Sequence, residues 1–273
     1  MGSLSTTGAI VPHQLAAAFT RLRAEAPLVQ CLTNVVVAGF TANVLLAAGA
    51  APAMIDNPQE AGEFARVAGG VLLNLGTPQD STVAAMRLAA EAAREAHRPW
   101  VLDPVAVGAV RWRTEIAHEL LDHGPAIVRG NASEIAALTG GAGGKGVESV
   151  ATPDEVADSA VSLAQRTEAV IAVSGSTDFL TDGSRAVRIA NGHPWLTKVT
   201  GSGCALGALM AAFAAVEDDP LLAAGAATAL FTVAADRAAA VSAGPGSFAV
   251  HLLDQLESIQ PDDVAHTAHL ENS

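Results

Sequence analysis

Hydrophobic and polar positions follow two rhythms that take turns along this chain. Short apolar runs bounded by turn residues fall at 28–32, 71–75, 100–102, 126–128 and 170–173, the pattern of buried strands. Longer alanine-rich stretches fill the gaps at 41–48, 81–97, 113–121, 134–138 and 154–166. Strands separated by helices of that length predict parallel βαβ units, an α/β chain with helices on both faces of one sheet. The rhythm changes at Asp178, where two short extended runs flank Asp182 and Gly183, a hairpin signal. Beyond them the pattern predicts helices at 204–216, 221–242 and 247–257, then a solvated tail. No linker, repeat or low-complexity block divides 12–257, so one domain is expected there, with flexible termini at 1–11 and 258–273.

Composition narrows the function classes. Half of the residues are apolar and only 16% are charged, which suits a substantial core. With seven Phe, three Trp and no Tyr, that core must be built from Ala, Val and Leu. The formal net charge of −13 argues against nucleic acid and anionic membranes as general partners. An anionic ligand would have to be held locally, by helix N-termini, a few cations or a metal ion. The start lacks a basic and then apolar leader pattern, and the apolar run 221–235 is short for a bilayer span. Two cysteines, Cys31 and Cys204, make no disulfide framework. A cytoplasmic chain with reduced thiols is expected.

Ligands of open parallel sheets bind outside the carboxyl ends of the strands. Polar residues follow the strand runs at 33–34, 103–104, 129–134 and 174–178. The most informative stretch is "VTGSGCALGA" at 199–208. Gly201, Ser202 and Gly203 form a tight turn into a helix, whose unpaired N–H groups and dipole suit a phosphoryl group or developing anion. An ordinary helix start would use the same residues. Cys204 in the first turn is expected to have a lowered thiol pKa. It is open as nucleophile, base, or small buried residue. Asn131 and Glu134 fit a reciprocal helix cap, and equally a carboxylate that organises hydrated Mg²⁺ beside phosphates. Asp103, after an apolar run, is either a second acid near that metal or an Asp-Pro turn. Arg129 is placed as a phosphate cation. The two lysines, Lys145 and Lys198, both lie near glycine-rich segments. No histidine spacing indicates zinc, and GxSxG and Walker A motifs are absent.

Taken together, "QCLTNVVVAGFTANVLLAAGAAPAM", "LLNLGT", "VLDPVAVGA", "IVRGNASEIAAL", "GKGVES", "NGHPWLTKVTGSGCALGALMAAF" and "GPGSF" resemble the hydroxyethylthiazole kinase family, in that family's order, over roughly 12–257. The resemblance implies a ribokinase-like three-layer α/β/α fold around a mostly parallel sheet. It implies ATP-dependent phosphorylation of 4-methyl-5-(2-hydroxyethyl)thiazole in thiamine salvage, by a homotrimer with sites where subunits meet. It further implies ATP at Arg129 and Ser174, and thiazole at Met54 and Gly201 with Asn34 nearby. Asp103 and Glu134 would organise Mg²⁺. Gly201, Gly203 and Cys204 would form the catalytic anion hole. Cys204 stands where superfamily kinases usually carry an Asp base, and is a marker of this family. Gln30 replaces a frequent His, Val35 a bulkier residue, and Ser174 a Thr. A hydroxymethylpyrimidine kinase, a non-catalytic nucleotide-binding protein and a covalent thiol enzyme are the rival readings.

Overall fold

The computed structural model describes residues 8–140 and 152–272. The apolar runs form the core strands: β1 Leu28–Leu32, β2 Ala51–Ala53, β3 Gly70–Asn74, β4 Trp100–Asp103, β5 Ile127–Asn131 and β6 Val170–Ser174. They pair in parallel, in the order β2-β1-β3-β4-β5-β6. The hairpin at Asp182 is present as β7 Asp178–Thr181 and β8 Ala186–Ile189, which extend the sheet antiparallel. Strands β3 and β4 are buried at every position, which explains why their sequences are apolar without alternation.

Helices cover both faces. One layer holds α1 Pro12–Glu25, α2 Ala38–Ala48, α8 Ser202–Ala214, α9 Pro220–Ala240, α10 Pro245–Ser258 and α11 Pro261–Thr267. The other holds α3 Ala61–Val67, α4 Asp80–Glu95, α5 Arg111–Leu121, α6 Ala132–Leu138 and α7 Ala157–Thr167. The shortage of aromatics has the expected consequence. Helices α8 and α9 are alanine-rich and buried along most of their length, and backbones come close. A side chain at Gly70, the first residue of β3, would collide with the Ala211 carbonyl of α8. Among the described residues α9 alone is long and apolar enough to cross a membrane, yet 89% of its apolar stretch is buried inside this fold. Within it Thr228 and Thr232 return their hydroxyls to helix carbonyls, which lets polar residues sit in the core.

The C-terminal segment departs from the expected solvated tail. Residues 261–267 form α11, anchored by Val264 at 1% exposure. Leu270–Asn272 adds a strand, β9, antiparallel to β8. The Asn272 side chain exchanges two hydrogen bonds of 3.0 Å with the Ile10 backbone. Lys145 and the "GKGVES" stretch lie outside the described residues.

Candidate active site

The parallel strands deliver their polar ends to one edge. Asn74 ends β3 and Asp103 ends β4, directly opposite each other in the parallel register. Arg129 is within β5 rather than after it, and Ser174 ends β6 opposite Asn131. The start of α8 meets them from the helical layer. Gly201 is its N-cap, with φ of 95°, a left-handed conformation that glycine adopts without strain. A Cβ there would also lie 2.7 Å from Val37 at the start of α2. Gly201 is therefore required twice, by its backbone and by its neighbour.

The Gly201 carbonyl accepts from Ala205 N at 2.8 Å. The N–H groups of Gly203 and Cys204 have no acceptor among the described residues, so two donors of the first turn are left for a ligand. A Cβ on Gly203 would stand 2.6 Å from Nη1 of Arg129. The guanidinium therefore packs flat against this turn. It donates to Ser174 Oγ from Nε (3.2 Å) and Nη2 (3.0 Å), and Nη1 lies 3.8 Å from Asp103 Oδ1. These groups flank a cleft of about 650 Å³ that runs past Gly175, Asp178, Gly192 and His193 to Leu206 and Phe231.

A chain of amides links the thiol to the carboxylate. Asn34 Nδ2 donates to Cys204 Sγ at 3.5 Å and to Asn74 Oδ1 at 3.0 Å. Asn74 Nδ2 donates to Asp103 Oδ2 at 2.6 Å, and its Oδ1 also accepts from Gly76 N. That last bond fixes which way the Asn74 amide faces. Asn74, 1% exposed, is a site residue that sequence reasoning passed over. The signal was present as a single amide within the apolar run "VLLNL".

The electrostatics correct one expectation. The Cys204 thiol is raised, not lowered: burial is the main cause and the Asp103 carboxylate adds to it, against Asn74, Arg129 and Asn34. The helix start is positive, but the thiol sits beneath it among buried groups, where the thiolate is poorly solvated. Cys31 on β1 is buried and pushed up to about 12, an inert core residue. Burial pushes the Asp103 carboxyl up to about 6, with Glu134 adding to the rise while Arg129 and Asn74 oppose it.

Glu134 forms the reciprocal cap. Its Oε2 accepts from Asn131 N at 2.8 Å, and Asn131 Oδ1 accepts from Glu134 N at 2.9 Å. Its Oε1 accepts from Ala106 N in the loop after β4. As to a cation, no group of three or more His, Cys, Asp or Glu lies together among the described residues. Asp103 Oδ1 is buried without a hydrogen-bond partner, an unused anionic oxygen close enough to Glu134 to feel its charge. This donor set fits Mg²⁺, which keeps waters and phosphate oxygens and needs only one or two carboxylates.

Met54 follows β2 and is 38% exposed; among the described residues no hydrogen-bonded network joins it to Cys204. A second, open cleft of about 440 Å³ is lined by Thr33, Val35, Asp56, Asn57 and Thr77 among others. Val35 and Val36 stand 74% and 67% exposed next to Asn34.

The Hydroxyethylthiazole kinase family matches residues 19–262. The chain is 59% identical to hydroxyethylthiazole kinase of Clavibacter sepedonicus over 92% of its length and 91% of the relative's. It is 52% identical to that of Kineococcus radiotolerans, over 97% and 98% of the two chains. A solved structure of hydroxyethylthiazole kinase protein from Pyrococcus horikoshii OT3 superposes with a TM-score of 0.88 at 37% identity, covering 95% of this chain and 98% of that one. Pyridoxal kinase from Staphylococcus aureus shares the fold, with a TM-score of 0.63 at 15% identity. With the family match over most of its length and relatives at more than half identity, the chain belongs to the hydroxyethylthiazole kinase family.

Proposed function

We propose that this chain transfers the γ-phosphoryl group of ATP to the hydroxyl of 4-methyl-5-(2-hydroxyethyl)thiazole, giving the thiazole phosphate used in thiamine salvage. Family membership supports the reaction. The observation that carries the mechanism is the meeting of two unpartnered N–H groups, the Arg129 guanidinium and Cys204 at the start of α8.

In this mechanism ATP occupies the larger cleft, its phosphates against Arg129 and Ser174 and its transferring group facing Gly201, Gly203 and Cys204. The N–H groups of the turn hold the equatorial oxygens as charge shifts among them. Such preorganised donors usually contribute the largest single part of the rate. Mg²⁺ held by Asp103 and Glu134 would neutralise phosphate charge. The thiazole occupies the neighbouring cleft beside Asn34, with Met54 as an adaptable wall. Cys204 receives the hydroxyl at the reacting end. Burial and the Asp103 carboxylate raise its pKa, so it stays a thiol that orients the hydroxyl by hydrogen bonding, and the hydroxyl proton passes late to an oxygen of the transferring phosphoryl group. A loose transition state asks little of a base, and general base catalysis is worth about 10²–10⁴-fold.

The working assembly in this proposal is a homotrimer in the cytoplasm. The exposed Val35 and Val36 beside the thiazole cleft support a neighbouring subunit as its cover. The two free cysteines suit a reducing compartment. The test is incubation of purified protein with Mg-ATP and hydroxyethylthiazole, with hydroxymethylpyrimidine in parallel, and product mass spectrometry. Thiazole phosphate alone is the expected product. Phosphorylation of the pyrimidine alone would overturn the substrate, and transfer to neither would overturn the activity.

A further inference from the structure

Gln30 belongs to β1, opposite Ala53 of β2, and its side chain is wholly buried. Its Nε2 donates twice, to Ile55 O at 3.0 Å and to Ala61 O at 3.1 Å. Those carbonyls mark the two ends of the connection between β2 and α3. Of the residues between them, Asp56, Asn57, Pro58 and Gln59 line the 440 Å³ cleft, together with Thr33, Val35 and Thr77. Met54, the proposed thiazole contact, immediately precedes the first anchor. The amide can face only one way, since turning it over would set its oxygen against two carbonyls. The oxygen so directed, Oε1, is buried with no partner among the described residues. Burying an unpaired acceptor is unfavourable, so the amide is held for its two donors.

We propose that Gln30 is a positioning residue for the alcohol substrate: by fastening both ends of segment 55–61 it fixes the wall of the cleft beside Asn34. The proposal rests on the reading of that cleft as the thiazole site. Gln30 reaches none of Arg129, Asp103 or Cys204, so its loss should weaken capture of the alcohol and spare phosphoryl transfer.

Gln30→Met keeps the shape and removes both donors; Gln30→His keeps one N–H. In Gln30→Met the KM for hydroxyethylthiazole should rise about tenfold, as expected for losing about 1.4 kcal/mol of positioned hydrogen bonding. The kcat and the KM for ATP should stay within about twofold. Gln30→His should fall between wild type and Gln30→Met, a graded rescue that general loosening of the fold would not produce. If Gln30→Met does not fold, Gln30→His against wild type decides alone. Amide hydrogen exchange over 55–61, measured without substrates, should be faster in the variants. An unchanged alcohol KM in a folded variant, a fall in kcat at unchanged KM, or unchanged exchange would each overturn the proposal. If wild type prefers another alcohol, the thiazole reading fails on its own. The KM split is then read on that alcohol, with the exchange measurement unaffected.

Discussion

A single methyl group added at Gly203 tests how the turn and the guanidinium work together. In Gly203→Ala the new Cβ would stand 2.6 Å from Nη1, 2.8 Å from Nη2 and 3.0 Å from Cζ of Arg129. Ordinary contact begins at 3.4 Å, so the guanidinium must retreat by roughly 0.8 Å. Its hydrogen bonds to Ser174, already 3.0 and 3.2 Å long, would not survive that shift. Asp103 lies on the Nη1 side at 3.8 Å, and the arginine can move only by leaving the turn. The fold itself has little to lose. Gly203 is helical and not left-handed, and alanine is favoured over glycine in a helix by about 1 kcal/mol. The variant should therefore melt within a few degrees of wild type. Hydrogen bonds to charged groups are worth about 1.5–3 kcal/mol, so displacing one phosphate contact should raise the KM for ATP about 10- to 100-fold. Steady-state kinetics in ATP at saturating thiazole, beside a thermal melt, separates the two effects. A folded Gly203→Ala protein with an ATP KM within about twofold of wild type would refute the placement of Arg129 on the phosphates.

Three further outcomes follow from the same geometry. Met54→Asp replaces the proposed apolar thiazole contact with a charge and should raise the KM for thiazole far more than it lowers kcat; the reverse pattern in steady-state kinetics would remove Met54 from the pocket. Asp178, buried at the larger cleft, is raised by burial from 3.8 to about 6, so the unfolded carboxyl ionises first as pH rises. Stability is lost across roughly pH 4 to 6 and stays lost above it, by at most about 3 kcal/mol. Asp178→Asn can keep the bond from Gly175 N and should therefore raise Tm most above pH 6.5 and little near pH 4. An equal Tm difference at both pH values would contradict this. Because the Cys204 thiol is raised, iodoacetamide should alkylate it slowly at neutral pH and faster only in the alkaline range. Rapid alkylation at pH 7 would indicate a stabilised thiolate.

Much of the architecture was legible because strands buried on both faces must be apolar throughout, as 71–73 and 100–102 are. The elements that escaped are those fixed from a distance. Strand β2 is only Ala-Pro-Ala, held by its pairing with β1. Helix α11 reads as polar, with Val264 its sole buried residue. Strand β9 exists through β8 and the Asn272 bonds to Ile10, 262 positions away. At the site, the glycine turn and the strand-end acids could be seen in sequence because local chemistry marks them. The sign of the Cys204 shift could not, since it is set by burial and by Asp103 from another strand. Asn74 was hidden for the same reason: its role depends on partners 40 residues before it and 29 after it.

The most direct test of the account is the turnover of Cys204→Ala and Cys204→Asp beside wild type, with ATP binding measured on each protein. If Cys204 serves the substrate hydroxyl while the turn and Arg129 supply charge stabilisation, Cys204→Ala should be slower by up to about 10²–10⁴-fold yet measurable. Cys204→Asp, with a proton acceptor in the same place, should remain active. A Cys204→Asp protein that folds and binds ATP but forms no thiazole phosphate would contradict the role given to this position.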